Sequence, residues 1–157
     1  MIYGAIFDNQ APTAKQIGAV FKPRYTDGKL HGCEITHNGS NVIIAPGMMI
    51  ACGRAFEITA STYVELSGSG FARVIATLDM NKAATVDSFG QVYLEKETVS
   101  SQNSFAALSK QNINAGGTKY QIELARFSIA SGNITEKISE IGSVGITADF
   151  CKFLGSN

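Results

Sequence analysis

Two histidines, three cysteines and a scatter of carboxylates and serines are the residues of this 157-residue chain whose types suit chemistry. His31 and His37 flank one short run, with Glu34 between them and Asp27 just before. A zinc site needs at least three converging ligands, and no third one is signalled. Cys33, Cys52 and Cys151 are odd in number and contain no Cys-x-x-Cys pair. They read as reduced, buried thiols acting as small hydrophobes; a Cys33–Cys52 disulfide across adjacent strands is the alternative. Asp79, Asp87, Glu95 and Glu97 are the carboxylates that could be paired for glycoside hydrolysis. Their strand and loop positions suit solvent-facing charges better, and Glu95-Lys96-Glu97 reads as a charged edge that resists stray strand pairing. There is no Gly-x-Ser-x-Gly elbow and no Ser/His/Asp set. Gly68-x-Gly70 precedes a strand-like run, whereas a phosphate cradle needs a helix N-terminus there. The sequence therefore predicts no catalytic residue, no cofactor and no metal.

Thirteen basic residues balance thirteen acidic ones, so no gross field draws nucleic acid or an anionic membrane. Nor is there the aromatic–basic interleaving that grips single strands. No apolar stretch is long enough to span a bilayer. Met1 to Asp8 lacks the basic n-region of a signal peptide, so a chain made in the cytoplasm and kept soluble, at least until it assembles, is expected. A charge-poor surface rich in Gly, Ser, Thr and Asn suits a subunit buried among partners, because charges are depleted at interface cores.

The elements must position whatever these residues do. Thr13 is an N-cap for a short helix with Ala14, Ile17, Val20 and Phe21 near helical spacing, ending before Pro23. Asn38-Gly39, between Leu30–Thr36 and Val42–Ile44, is the strongest short-range hairpin signal. The block 41–66 organises the rest. Val42-Ile43-Ile44 is β-branched, Pro46-Gly47 is turn chemistry, and Met48–Ala51 is apolar again. Gly53 suggests a bulge or a close backbone approach, and alternation of Phe56, Ile58 and Ala60 marks a half-buried strand. That predicts a β-meander turning at Pro46-Gly47. Further strands are expected over 71–78, 86–90, 91–99 and 120–129, then a run through Ile134, Ile138 and Ile141. One helical turn is expected at Phe105–Leu108. The sum is an all-β fold: a single-domain β-sandwich or barrel-like roll of about eight short, mainly antiparallel strands. It has a short N-terminal helix and a C-terminal tail. The divisions are an arm with helix (1–24), the β domain (25–141) and a docking tail (142–157).

Three segments resemble a known family. Phe21-Lys-Pro-Arg-Tyr-Thr-Asp-Gly-Lys-Leu-His-Gly-Cys-Glu-Ile is similar to the opening of baseplate and tail-fibre proteins of phages infecting Gram-positive bacteria. Val42-Ile-Ile-Ala-Pro-Gly-Met-Met-Ile-Ala-Cys-Gly-Arg-Ala-Phe resembles their apolar strand, Pro-Gly, apolar strand, Gly-Arg/Tyr, aromatic core. Lys119-Tyr-Gln-Ile-Glu-Leu-Ala-Arg-Phe-Ser-Ile-Ala-Ser-Gly-Asn-Ile-Thr looks like their later strand pair. The likeness covers roughly residues 20 to 141, and Glu140-Ile-Gly-Ser stands where family members often carry Asp-x-Arg. It implies a virion assembly module with no enzymatic activity, located in a tail or baseplate. Its partners would be copies of itself, as a trimer or hexamer, and other virion proteins, with a host surface glycan as a further candidate.

Terminal apolar residues need a cover, so Ile2, Tyr3, Phe7, Phe150, Phe153 and Leu154 are the candidate assembly contacts; closing this chain's own core is the competing role. A capsid decoration or head-fibre protein would use the same sandwich. A carbohydrate-binding module or small glycosidase would need exposed aromatics around a groove, and there is no tryptophan to supply the usual platform.

Overall fold

The computed structural model describes residues 13–85 and 89–155, leaving out the side chain of Phe153. The fold is all-β: ten strands in three antiparallel sheets, with a short helix near each end of the described chain. The strands are β1 (Gly28–Gly32), β2 (Ile35–Asn38), β3 (Asn41–Ile44), β4 (Gly47–Ala51), β5 (Arg54–Ile58), β6 (Thr62–Glu65), β7 (Gly70–Asp79), β8 (Val92–Val99), β9 (Lys119–Ala130) and β10 (Asn133–Glu140). The helices are α1 (Ala14–Phe21) and α2 (Ala148–Phe153).

The two small sheets, ordered β1-β4-β5 and β2-β3-β6, are one three-stranded ribbon bent at mid-length. The Asn38-Gly39 signal is borne out: Asn38 pairs with Asn41, and the same hairpin continues through the bend as Gly32 paired with Gly47. Pro46-Gly47 does not reverse the chain. It bends a strand that passes from one sheet to the next, opposite the matching break at Cys33-Glu34. There the Cys33 N–H donates to the Pro46 carbonyl at 3.1 Å and the Ala45 N–H to the Glu34 carbonyl at 2.9 Å. The reversal falls instead at Cys52-Gly53, where a bulge was expected. Both residues have positive φ, 50° and 74°, the pairing of dihedrals that matches hairpin twist. Cysteine rarely occupies that region, so nothing in its residue type announced the turn.

The third sheet, ordered β10-β9-β7-β8, has the longest strands and alternates as its sequence does. Ala72, Val74, Ala76 and Leu78 of β7 and Ile122, Leu124, Phe127 and Ile129 of β9 join the core. A register shift at Val74/Ile75 absorbs the extra residue of β9, as a bulge does. The bent ribbon covers this face with Ile35, Val42, Ile44, Met49 and Phe56. Helix α1 starts as read, with Thr13 and Gln16 forming a reciprocal capping box, and it packs on the Cys52-Gly53 turn. A Cβ on Gly53 would lie 2.2 Å from the Gly18 carbonyl oxygen, so only glycine permits that approach.

Three details differ from expectation. Phe105–Leu108 is extended, and the short 3₁₀ turn lies at Gln102–Ser104. Phe89 makes an isolated bridge to Ala84, and the rest of the strand expected at 86–90 falls largely outside the described residues. The tail holds α2, with Thr147 as N-cap.

Candidate functional site

The outer face of the four-stranded sheet gathers most of the charged chemistry. Arg73 sits mid-strand on β7 and is only 4% exposed. Its guanidinium donates to Glu97 Oε2 at 2.6 and 2.9 Å, to Glu123 Oε2 at 3.4 Å and to the Ala106 carbonyl. Arg126 takes the other side of Glu123 with bonds of 3.1 and 2.9 Å. The Phe105 ring lies against both guanidinium groups, 4.8 Å from Arg73 and 4.7 Å from Arg126, as cation–π geometry prefers. The extended segment 105–111 straps this face down: the Ala106 N–H donates to Glu97, and the Gln121 N–H to the Ser109 carbonyl at 2.7 Å. Burial pushes the Glu97 carboxyl up. The Ala106 N–H and the Arg73 guanidinium outweigh this and hold it below the usual carboxylate range.

The carboxylates considered for glycoside hydrolysis are occupied in the same way. Glu95 accepts from the buried Thr77 hydroxyl and from Gln121 at 2.8 Å. Asp79 accepts from the Asn81 N–H at 3.0 Å and from Tyr93 at 3.5 Å. Asp87 falls outside the described residues. Glu97 thus holds the strap, Glu95 bridges Thr77 and Gln121, and Asp79 closes the turn at Asn81.

Asp27 anchors a second cluster. Its carboxylate accepts from the Cys52 N–H at 2.9 Å and from the Tyr120 hydroxyl at 2.6 Å, with Lys110 at 3.6 Å. Asn114 donates to the Cys52 carbonyl at 2.7 Å, so both polar groups of that strained turn residue are satisfied. Burial, then the Asp27 bond, pushes the Tyr120 hydroxyl far above the usual tyrosine value. Cys33 and Cys52 are both free and buried, and burial raises both thiols. That is the opposite of what a nucleophilic or redox cysteine requires.

Glu140 forms a third cluster, accepting from Lys29, from Lys137 and from the Ile35 N–H at 3.2 Å. It ties β1 and β2 to β10. Burial raises its carboxyl, and the two lysines more than reverse this, leaving it below the usual range. His31 and His37 are exposed, and His37 packs edge-on against Phe127 at 6.1 Å. Among the described residues, no three His, Cys, Asp or Glu side chains are grouped to hold a metal. Gly68 and Gly70 open β7, with the Gly68 carbonyl accepting from Gly132 N–H.

Among the described residues, one surface is left open. Beside α1 lies an apolar cavity of about 310 Å³, walled by Ile17, Phe21, Phe56, Met80 and Phe89. It shares Phe56, Phe89 and Val92 with a longer groove of about 650 Å³ that runs on past Tyr63 and Leu94 to Lys96. This seam separates edge strands: β5 and β6 on one side, β8 on the other, each hydrogen-bonded to a single neighbour. Tyr63 and Phe89 are each 64% exposed at its rim. Sequence reasoning missed the seam, because it depends on which strands end as edges.

Of the residues expected to make assembly contacts, Ile2, Tyr3 and Phe7 lie outside the described residues, as does the Phe153 side chain. The rest of the tail lies along its own chain: Thr26 N–H donates to the Gly145 carbonyl, Val144 N–H to Lys29 and Thr147 N–H to Arg24. Phe150 is half-buried under the Arg24 guanidinium at 5.5 Å, while Leu154 remains 58% exposed. No protein-family model matches this chain, and no curated protein matches it.

Proposed function

We propose that this chain is a virion structural subunit, of the kind found in phage tail tips, baseplates or tail-fibre attachments, and that it works by binding copies of itself and other virion proteins. The observation that carries this reading is the division of labour among its side chains. The carboxylates at Asp27, Glu97, Glu123 and Glu140 are engaged in internal clamps. Large apolar side chains at Phe21, Tyr25, Tyr63, Phe89, Ile146 and Leu154 face outward instead. Exposed apolar groups of that size favour burial against a partner. The three segments that resemble phage baseplate proteins coincide with the bent ribbon and the β9–β10 pair. On this reading the chain has no enzymatic activity, and its place is the virion. The test is the mass of the purified chain by light scattering, with a trimer or hexamer expected. A monomer at every concentration would overturn it.

A second reading has one observation in its favour. Tyr63 and Phe89 flank the groove together with Glu57, Glu65 and Lys96, a mix of ring faces and polar groups suited to a sugar. A glycan array probed with the full chain tests it. Saturable binding abolished by Tyr63→Ala would establish a carbohydrate-binding role, and no binding would remove it.

A further inference from the structure

Five of the large apolar side chains that face outward join into one band. At one end Ile146 bridges to Tyr25, and the Tyr25 ring meets Phe21 edge-on at 5.9 Å. Phe21 and Phe89 wall the same inner cavity, and Phe89 and Tyr63 line the groove that continues it. The order along the band is therefore Ile146, Tyr25, Phe21, Phe89, Tyr63, from the docked tail across α1 into the seam. Its two ends differ in charge. Beside the first, Lys22 and Arg24 flank Pro23, and Lys152 lies on α2, whose Phe150 packs under the Arg24 guanidinium; Asp149 stands against these three cations. The second is lined by Glu57 and Glu65 against Lys96, whose ammonium donates to the Glu65 carbonyl. Between them Arg54 is turned to Asn114 and the Ile113 carbonyl. Among the described residues, Lys22, Arg24, Lys152, Glu57 and Glu65 form no ion pair. One end is left net positive and the other net negative.

A surface that is positive at one end, apolar in the middle and negative at the other is complementary to itself turned end for end. We propose that this band is a two-fold contact between copies of the chain. Phe21 and Phe89 of both copies lie near the axis, and Ile146 and Tyr25 of each face Tyr63 of the other. The basic end of each copy then lies over the acidic end of its neighbour. A two-fold interface uses the same patch on both partners, so that residue i meets j and j meets i, and this distribution of charge meets that condition. Two bands laid in the same direction would bring like charges together, which is disfavoured. A head-to-tail chain would match the charges by overlapping only the ends, leaving the apolar middle in water; the two-fold contact covers the whole length. Apolar burial supplies the affinity, and the charges set the direction. This inference rests on the assembly reading and narrows it. Built on two-fold contacts, the assembly has an even number of chains, which selects the hexamer over the trimer.

The test uses full-length chains carrying Cys151→Ser, because Cys33 and Cys52 are buried. One chain carries Ile146→Cys and the other Tyr63→Cys; they are coexpressed, purified and oxidised gently. The expected result is a mixed disulfide dimer, several-fold more abundant than either homodimer. It should exceed by as much the product formed when Tyr63→Cys is replaced by Glu136→Cys on β10, at the opposite edge of the four-stranded sheet from β8. A single chain bearing both cysteines should close into dimers and stop there. Glu57→Lys with Glu65→Lys on the Tyr63→Cys chain should lower the mixed product several-fold. Lys22→Glu with Lys152→Glu on the Ile146→Cys chain should then restore it, a rescue that misfolding would not give. Cross-linking no greater than the Glu136→Cys control overturns the proposal. So does a ladder of trimers and higher species from the doubly substituted chain, which marks a head-to-tail contact. Light scattering on the unsubstituted chain separates the two levels: a trimer removes this contact and leaves assembly standing, while a monomer removes both.

Discussion

Replacing Arg73 by alanine is the sharpest probe of whether the charged face is a clamp. Its side chain is 5% exposed, and those of Glu97 and Glu123 are 26% and 21% exposed. Breaking a buried pair by deleting one member costs about 3–5 kcal/mol, since the other charge stays desolvated. Here Glu123 keeps Arg126, and Glu97 keeps the Ala106 N–H and partial contact with water. Those residual partners trim the expected loss to about 2–3 kcal/mol. With a urea slope of about 2 kcal/mol/M for a domain of this size, the unfolding midpoint should fall by about 1–1.5 M. Arg73→Lys keeps the charge and loses the planar fork, so it should recover only part of the loss. The double variant Arg73→Met/Glu97→Gln should be more stable than Arg73→Ala, because no orphaned carboxylate remains. Hydrogen exchange should show the Ala106 and Gln121 amides opening first in Arg73→Ala. A midpoint unchanged within error, with the strap amides still protected, would refute the clamp and return these carboxylates to the pool of functional candidates.

Other consequences follow from the remaining clusters. Glu140 has a folded pKa below its unfolded value, so its contribution to stability is complete above about pH 4.3. It is lost as pH falls through the folded value. Glu140→Gln should flatten the acid limb of a stability–pH curve, and an unchanged limb would contradict the assignment. Tyr120 has a raised folded pKa, so its contribution is complete below about pH 10 and is lost at higher pH. Tyr120→Phe should cost about 1–2 kcal/mol by denaturant titration. Gly53→Ala, which brings a Cβ to 2.2 Å from the Gly18 carbonyl at φ +74°, should cost well over 1 kcal/mol. Gly68→Ala, at φ +91° with its nearest neighbour 3.7 Å away, carries backbone strain alone and should cost less by thermal melting.

What was legible in the chain follows from how local each signal is. Asn38-Gly39, the Thr13 cap and the alternation of β7 and β9 are written in adjacent residues, and each forms where read. Pro46-Gly47 was misread because a proline bend and a proline turn share the same residues. Only the non-local pairings of Cys33 with Pro46 and Glu34 with Ala45 decide between them. The Cys52-Gly53 reversal is held by Asp27 and Asn114, which are remote in sequence. Arg73 did carry a signal: a cation inside the run Phe71–Leu78 must find a partner if that strand is buried. Glu97, Glu123 and the strap are that partner. The seam had no local signal, since an edge is defined by a strand that is missing.

The chemistry left on the surface also fixes how association should respond to its medium. The clamped carboxylates and guanidinium groups have little left to offer a partner, and the seam presents apolar walls, strand edges and the half-buried guanidinium of Arg54. Contacts between exposed charges weaken steeply as the Debye length falls from about 30 Å in 0.01 M salt to about 3 Å in 1 M salt. Apolar burial does not weaken in that way, and sulfate strengthens it. The oligomer should therefore keep its mass by light scattering across that range, tighten in sulfate and loosen on cooling, because hydrophobic stabilisation fades at low temperature. Dissociation by simple salt would mean that rim charges such as Glu57, Glu65 and Lys96, and not the apolar seam, hold the copies together.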